Sequence, residues 1–297
     1  MKAVVYERYG SPEVLEIREI DKPVPKKNEV LIKVHATTVT AGDWRMRKAD
    51  PFLARLYNGL FKPRKVNILE FELSGVIEEI GSEVTKYKVG DEIFAFCGFR
   101  FGGYAEYRCL PTNDLFARKP SNMTFEEAAA VPVGGITALR LLKNANLKSG
   151  NNLLIYGASG SVGTFAIQIA NAFGANVTAV CSTDNLSLVK SLGADTVIDY
   201  KKEDFTMSNT QFDVVLDAVG KTSKSKCKTI MKSGAKYVTV TGSPKGSPDD
   251  LDELRQMIEN NQLKSVIDRT YTLDQIREAH KYVESFRKKG NVVVRVI

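Results

Sequence analysis

The stretch Leu153-LIYGASGSVGTFAIQI-Ala170 decides the fold. A short apolar run, Leu153 to Tyr156, leads directly into Gly157, Gly160 and Gly163. Apolar residues then recur at helical spacing from Thr164 to Phe173. Glycines at these places permit a tight turn and let the backbone approach a pyrophosphate. Their N–H groups and the helix N-terminus carry partial positive charge toward that anion. A bare G-x-x-G-x-x-G is a weak signal. Between a strand and a helix, at the head of a βαβ unit, it is a strong one.

The surroundings agree. Downstream, strand-like runs begin at Asn176, Thr196, Phe212 and Ala235, alternating with helical stretches at Leu186 to Leu192 and Lys221 to Met231. That alternation predicts a parallel sheet. Upstream, Thr124 and Glu127 form a capping box that opens a helix, and Ile136 to Asn144 is a second helix. Before residue 117 the chain reads as six or seven short strands with few helices, a compact β-barrel-like pattern. A helix at Leu273 to Phe286 and a strand from Asn291 close the sequence.

Composition narrows the function classes. The 297 residues are 43% hydrophobic and 26% charged, ordinary globular values. The net charge of +7 is spread among acids, with short basic runs at Lys22 to Lys27, Lys62 to Lys65 and Arg287 to Lys289, so no nucleic-acid partner is expected. No apolar run of membrane length and no signal-peptide pattern is apparent. Cys97, Cys109, Cys181 and Cys227 are far apart and form no C-x-x-C pair, which points to reduced thiols and a cytoplasmic setting.

Residues at the ends of the next strands address the far end of a dinucleotide. Ser182 and Thr183 are small hydroxyls able to donate to a 2′-phosphate, and Tyr200 adds a phenol. Asp184 opposes this unless it points outward. The same hydroxyls also suit an N-cap. The balance favours NADP(H) over NAD(H). His35 and His280 lack any acid–nucleophile pattern and read as structural.

Several further stretches are Ala41-GDWRMR, Leu73-SGVIEEIGSEVTKYKVGDEIF, Gly102-GYAEY, Ala128-AAVPVGGITAL, Lys190-SLGADTVIDY and Val266-IDRTYTLDQIREAHKYVESFRKKGNVVV. With the glycine loop, these resemble, in order and from end to end, the zinc-free quinone-oxidoreductase (zeta-crystallin-like) branch of the medium-chain dehydrogenase/reductases. The resemblance implies an α/β fold in which a doubly wound Rossmann dinucleotide-binding domain, residues 118–262, is inserted into a GroES-like barrel domain made of residues 1–117 and 263–297, with the active site in a cleft. It implies hydride transfer from NADPH to a quinone or an α,β-unsaturated carbonyl. An enoyl-thioester reductase is the alternative within enzymes, and a nucleotide-sensing or RNA-binding Rossmann protein the alternative outside them.

The cofactor positions this implies are Asp43, Thr137, Gly157, Ser159, Gly160, Ser161, Val162, Gly163, Ser182, Thr183, Tyr200 and Gly242. Zinc-dependent relatives carry Cys in C-x-x-D and His in G-H-E; here Thr40 precedes Asp43, and Glu70-Phe71-Glu72 replaces the second motif, so no zinc is expected. Glu70 stands where glycine is usual. A tyrosine often follows the loop's Asp in this branch; Trp44 and Arg45 stand there instead. The candidates for proton delivery or carbonyl polarisation are Arg45, Tyr57 and Tyr104, and Trp44 could stack on a planar substrate. After Thr239, Gly242-SPKGSPDD leads straight to the helix at Leu251 to Glu259. A five-stranded Rossmann sheet is therefore predicted, without the sixth strand whose edge often pairs two subunits. The chain would be a monomer or a dimer through another face.

Overall fold

The computed structural model describes residues 1–241 and 246–297. They divide into two compact units, Met1–Val133 with Ile267–Ile297, and Gly134–Val266. The chain therefore crosses between units inside a helix, after the capped helix that follows the barrel strands.

The first unit carries seven strands before residue 120: β1 (Lys2–Val5), β2 (Glu16–Glu19), β3 (Glu29–Thr38), β4 (Glu72–Ile80), β5 (Glu92–Phe96), β6 (Tyr107–Pro111) and β7 (Leu115–Arg118). Between β3 and β4 lie two short helices, α1 (Ala41–Lys48) and α2 (Leu53–Asn58). Then come α3 (Phe125–Ala129) and α4 (Pro132–Asn144). Thr124 and Glu127 close the expected capping box around α3, with Thr124 N donating to Glu127 Oε2 at 2.9 Å.

In the second unit, β8 (Asn152–Tyr156), α5 (Ser161–Ala172), β9 (Asn176–Cys181), α6 (Leu186–Ser191), β10 (Thr196–Asp199), β11 (Phe212–Asp217), β12 (Met231–Thr239) and α7 (Pro248–Glu259) follow in turn. The chain returns to the first unit with β13 (Ile267–Thr272), α8 (Ile276–Glu284) and β14 (Asn291–Arg295).

The barrel sheet runs β13-β14-β3-β4-β5-β7, with β6 also on β3. The C-terminal strand β14 joins it through antiparallel pairing with β3. Its interior is sequence-dictated: alternate residues Val30, Ile32 and Val34 of β3 pack with Leu73, Ile77, Ile93 and Phe116.

The second sheet is wholly parallel, in the order β10-β9-β8-β11-β12. Among the described residues no sixth strand joins it, as the short connection after Thr239 predicts. Its order reverses between β8 and β11, and a reversal of this kind opens a crevice at the carboxyl ends of those strands. The glycine loop leaves β8 at that point.

One expected element is absent. Lys221 to Met231 forms turns ending in a single 3₁₀ turn at Lys228–Ile230. Four lysines (221, 224, 226 and 228) crowd this span, and no apolar stripe at helical spacing offsets their repulsion. In its place Asp217 gathers the loop, accepting from the backbone N–H groups of Val219, Gly220 and Thr222 at 2.8–3.1 Å.

Candidate functional site

The head of α5 is built for close approach. Gly157 sits at φ +81°, in the left-handed region, and a side chain there would also strike Val219. At Gly163 a Cβ would come within 2.4 Å of Gly157 O and 2.6 Å of Ala158, so helix and strand can pack this tightly only over glycine. Gly160 differs. Its φ is −81°, and among the described residues a Cβ there would meet nothing closer than Gly157 O at 3.5 Å. None of the described residues requires glycine at 160. Gly160 is also the N-cap of the twelve-residue α5, and no side chain caps it. The first-turn N–H groups of a helix lack intrahelical partners, so these amides are available to an anion.

Ser159 and Ser182 are brought together. Asn185 Nδ2 donates to Ser159 Oγ at 2.9 Å and to Ser182 Oγ at 3.1 Å, linking the loop to the end of β9. Thr183 Oγ1 donates to Asp199 Oδ2 at 2.6 Å, and this bond holds the Asp199 carboxyl below its ordinary range. Asp184 lies 3.7 Å from Lys201 Nζ with its side chain largely exposed. Its charge is answered by a lysine and faces water. Tyr200 is half exposed, its ring 6.4 Å from Tyr156. Thr137 is buried on α4. Gly242 lies outside the described residues. Asn185, Asp199 and Lys201 escaped the sequence reading, because none of them belongs to the glycine motif.

The barrel unit holds a second polar cluster, turned inward. Asp43 caps α1, its Oδ2 accepting from Thr40 N and Thr40 Oγ1, both at 2.7 Å, while its Oδ1 accepts from Glu70 N at 2.9 Å. These contacts occupy both of its oxygens within the chain. Glu70 has φ +83°, costly for a residue with a Cβ, and is fully buried. Its Oε1 accepts from Glu72 N at 3.0 Å, and its Oε2 has no partner of good geometry. Glu72 Oε2 accepts from Val133 N at the head of α4, 2.6 Å away, and Oε1 from Thr38 Oγ1 at 2.7 Å. Burial pushes all three carboxyls up. Glu70 is held well above its ordinary range, with Asp43 beside it adding to the shift, and Glu72 rises to about 7.

The three proton-delivery candidates do not share one environment. Tyr104 is fully buried in the barrel core, with its hydroxyl 3.1 Å from His280 Nε2. Arg47 Nε donates to His280 Nδ1 at 3.3 Å, so the ring proton sits on Nε2 and points at Tyr104. Burial holds His280 well below and Tyr104 well above their ordinary ranges. Arg45 lies on the exposed side of α1, its guanidinium 5.4 Å from the Trp44 ring. Trp44 itself is buried against Phe286. Tyr57 lines a cavity of the barrel unit, and its hydroxyl donates to Phe99 O at 2.8 Å.

Residues 26–121 match the alcohol dehydrogenase GroES-like domain, and residues 161–294 match the zinc-binding dehydrogenase model. The chain is 36% identical to 2-methylene-furan-3-one reductase of Solanum lycopersicum, covering all of this chain and 79% of that protein. The chain belongs to the medium-chain dehydrogenase/reductase superfamily. It is also 34% identical to the chloroplastic NADPH-dependent alkenal/one oxidoreductase of Arabidopsis thaliana, over 99% of this chain and 79% of that one. Among solved structures, the quinone oxidoreductase from Coxiella burnetii superposes with a TM-score of 0.87 at 28% identity, covering 100% of this chain and 99% of that one.

One of the superfamily models carries zinc in its description, and the residues here do not fit the metal. Thr40 donates its hydroxyl to Asp43, Phe71 has no donor atom, and Glu72 is committed to Thr38 and the head of α4. Neither thiolate nor imidazole is available at these positions. Among the described residues no group of three or more His, Cys, Asp or Glu is placed to hold a metal ion.

Proposed function

We propose that the chain is an NADPH-dependent reductase of quinones or α,β-unsaturated carbonyls that works without zinc. One observation carries the reading: Gly160 is a glycine that no described residue requires, at an uncapped helix head, where a side chain would obstruct a ligand's phosphates. The reductase names of the relatives support the reaction class. Bound NADPH would supply a hydride to the electron-poor carbon, and a proton completes the reduction.

The chain's own residues bind and orient. The amides of Ser161, Val162 and Gly163 and the hydroxyl of Ser159 would hold the pyrophosphate. Ser182, Thr183, Tyr200 and Lys201 would hold the 2′-phosphate, with the charge of Asp184 answered by Lys201. Of the proton candidates, Tyr57 is supported best, as a partly exposed phenol over a cavity; Tyr104, committed to His280, instead holds the barrel core. The chain acts as a monomer or as a dimer through a face other than the β12 edge, in a reducing compartment such as the cytoplasm that keeps its four thiols free.

The test is NADPH oxidation by the purified chain with a panel of quinones and 2-alkenals. Turnover with members of that panel is expected. Tight NADPH binding with no oxidation across it contradicts the enzymatic reading.

A further inference from the structure

A cavity of about 600 Å³ opens in the barrel unit, within the usual range for small-molecule sites. Its walls come from α2 and the segment after it, from the turn following β5, and from β6 and the start of β7. Three of its lining side chains are cationic, Lys65, Arg100 and Arg108, against a single acid, Asp114.

That acid pairs through Oδ1 with Arg100 Nη2 at 2.5 Å, while its Oδ2 is buried and has no hydrogen-bond partner. Arg108 is not answered in the same way: its Nε is buried and makes no hydrogen bond. The guanidinium is packed against the backbone at Gly102, where a Cβ would come within 2.9 Å of Arg108 Cζ and Nε, at a glycine with φ +101°. A buried donor without a partner is expensive, and a guanidinium held rigid is preorganised for a carboxylate.

The remaining wall is aromatic. Tyr57 and Phe99 are 6.1 Å apart and tied by the Tyr57 hydroxyl bond to Phe99 O. Lys65 Nζ sits 3.9 Å over the Tyr57 ring. Such faces favour a flat, conjugated ligand.

We infer that the molecule reduced is a conjugated enone or quinone bearing a carboxylate, with its acidic group on Arg108 and its flat part against Tyr57. This deepens the reading above and rests on it for the reduction, but the binding itself needs no nucleotide. The three cationic side chains of the lining against one acid single out an anion, and the aromatic wall singles out a planar one.

The experiment has two arms. In the first, trans-cinnamate and its methyl ester are titrated into the nucleotide-free protein by calorimetry. Cinnamate is expected to bind at least tenfold tighter than the ester, and Arg108→Gln to remove that difference. Lys65→Glu, a change on an exposed side chain that leaves the fold intact, is expected to weaken cinnamate severalfold. Equal binding of acid and ester, no binding of cinnamate, or equally good competition by inorganic phosphate overturns the inference.

In the second arm, trans-4-oxo-2-pentenoate and its methyl ester are compared as oxidants of NADPH. A kcat/KM at least tenfold higher for the acid is expected, although the ester is the more electrophilic alkene, and Arg108→Gln should close the gap. An ester as good as the acid overturns the inference while leaving the reductase reading standing. Charge-selective cinnamate binding with no NADPH oxidation by either alkene leaves the site standing and removes the reductase reading.

Discussion

At the head of α5 the backbone is bare: glycines at 157, 160 and 163, an uncapped helix, and serine hydroxyls tied together from the side by Asn185. Around β4 of the barrel unit the polar groups are just as dense but face inward. Five of the six carboxyl oxygens of Asp43, Glu70 and Glu72 accept from Thr38, Thr40, two backbone amides of their own cluster and the head of α4, and only Glu70 Oε2 is left over. The first region leaves donors without protein partners where a ligand can take them. The second buries three acids and holds one of them at a backbone angle suited to glycine. Polar density alone therefore does not mark a binding site. What separates the two regions is whether the protein has already satisfied the groups.

The largest effect that would break this comparison is in the loop. Gly163→Ala places a methyl against the Gly157 and Ala158 backbone, and should lower stability by about 3 kcal/mol and abolish nucleotide binding. Thermal melting and titration read both. Gly160→Ala sharpens the contrast, because it should leave the melting temperature unchanged and weaken NADPH about tenfold. A fall in stability with unchanged binding would mean that Gly160 serves the fold after all.

The acid cluster should report itself through pH. Glu72 titrates near 7 in the folded chain against an ordinary 4.5, so the folded state holds that proton between those values. The contribution is present in full below about pH 4.5 and is lost as pH rises toward 7, with a slope of at most about 1.4 kcal/mol per pH unit. Denaturant unfolding across that window should show the decline, and Glu72→Gln should make it shallower, leaving the part due to Asp43 and Glu70.

Glu70→Gly removes both the left-handed strain and a buried carboxyl, and should raise stability by about 1 kcal/mol at neutral pH. Destabilisation of that size would instead make Glu70 a structural necessity. The smallest effect is at the ribose. Lys201→Glu should weaken NADPH about fivefold at low salt and leave NADH unchanged, as read by parallel titrations.

Much of the fold was legible because local signals and tertiary demands coincide. The run from Leu153 to Ala170 shows strand, turn and helix in order, and Thr124 with Glu127 announces α3. The short connection after Thr239 foretells a five-stranded sheet. The helices α1 and α2 were less visible, sitting among strand signals; Asp43 fills the third-position capping role of α1 where Glu or Gln is the usual cue.

The loop itself was readable as a site, but its bracing was not. Asn185 reaches Ser159 across 26 positions of sequence, and Asp199 reaches Thr183 across 16. Glu70 stood out as an unusual residue, yet its burial depends on Thr38 and Asp43, which only the folded barrel brings beside it. Tyr104 read as a donor because tyrosines often are. Its partner, His280, lies 176 residues away.

The central claim is that the bare amides at the head of α5 hold a dinucleotide. Calorimetric titration of NADPH into the purified chain tests it most directly. The account predicts saturable binding of one NADPH per chain, tighter than NADH, and weakened by Gly160→Ala. Absence of heat and of saturation with both NADPH and NADH would contradict it.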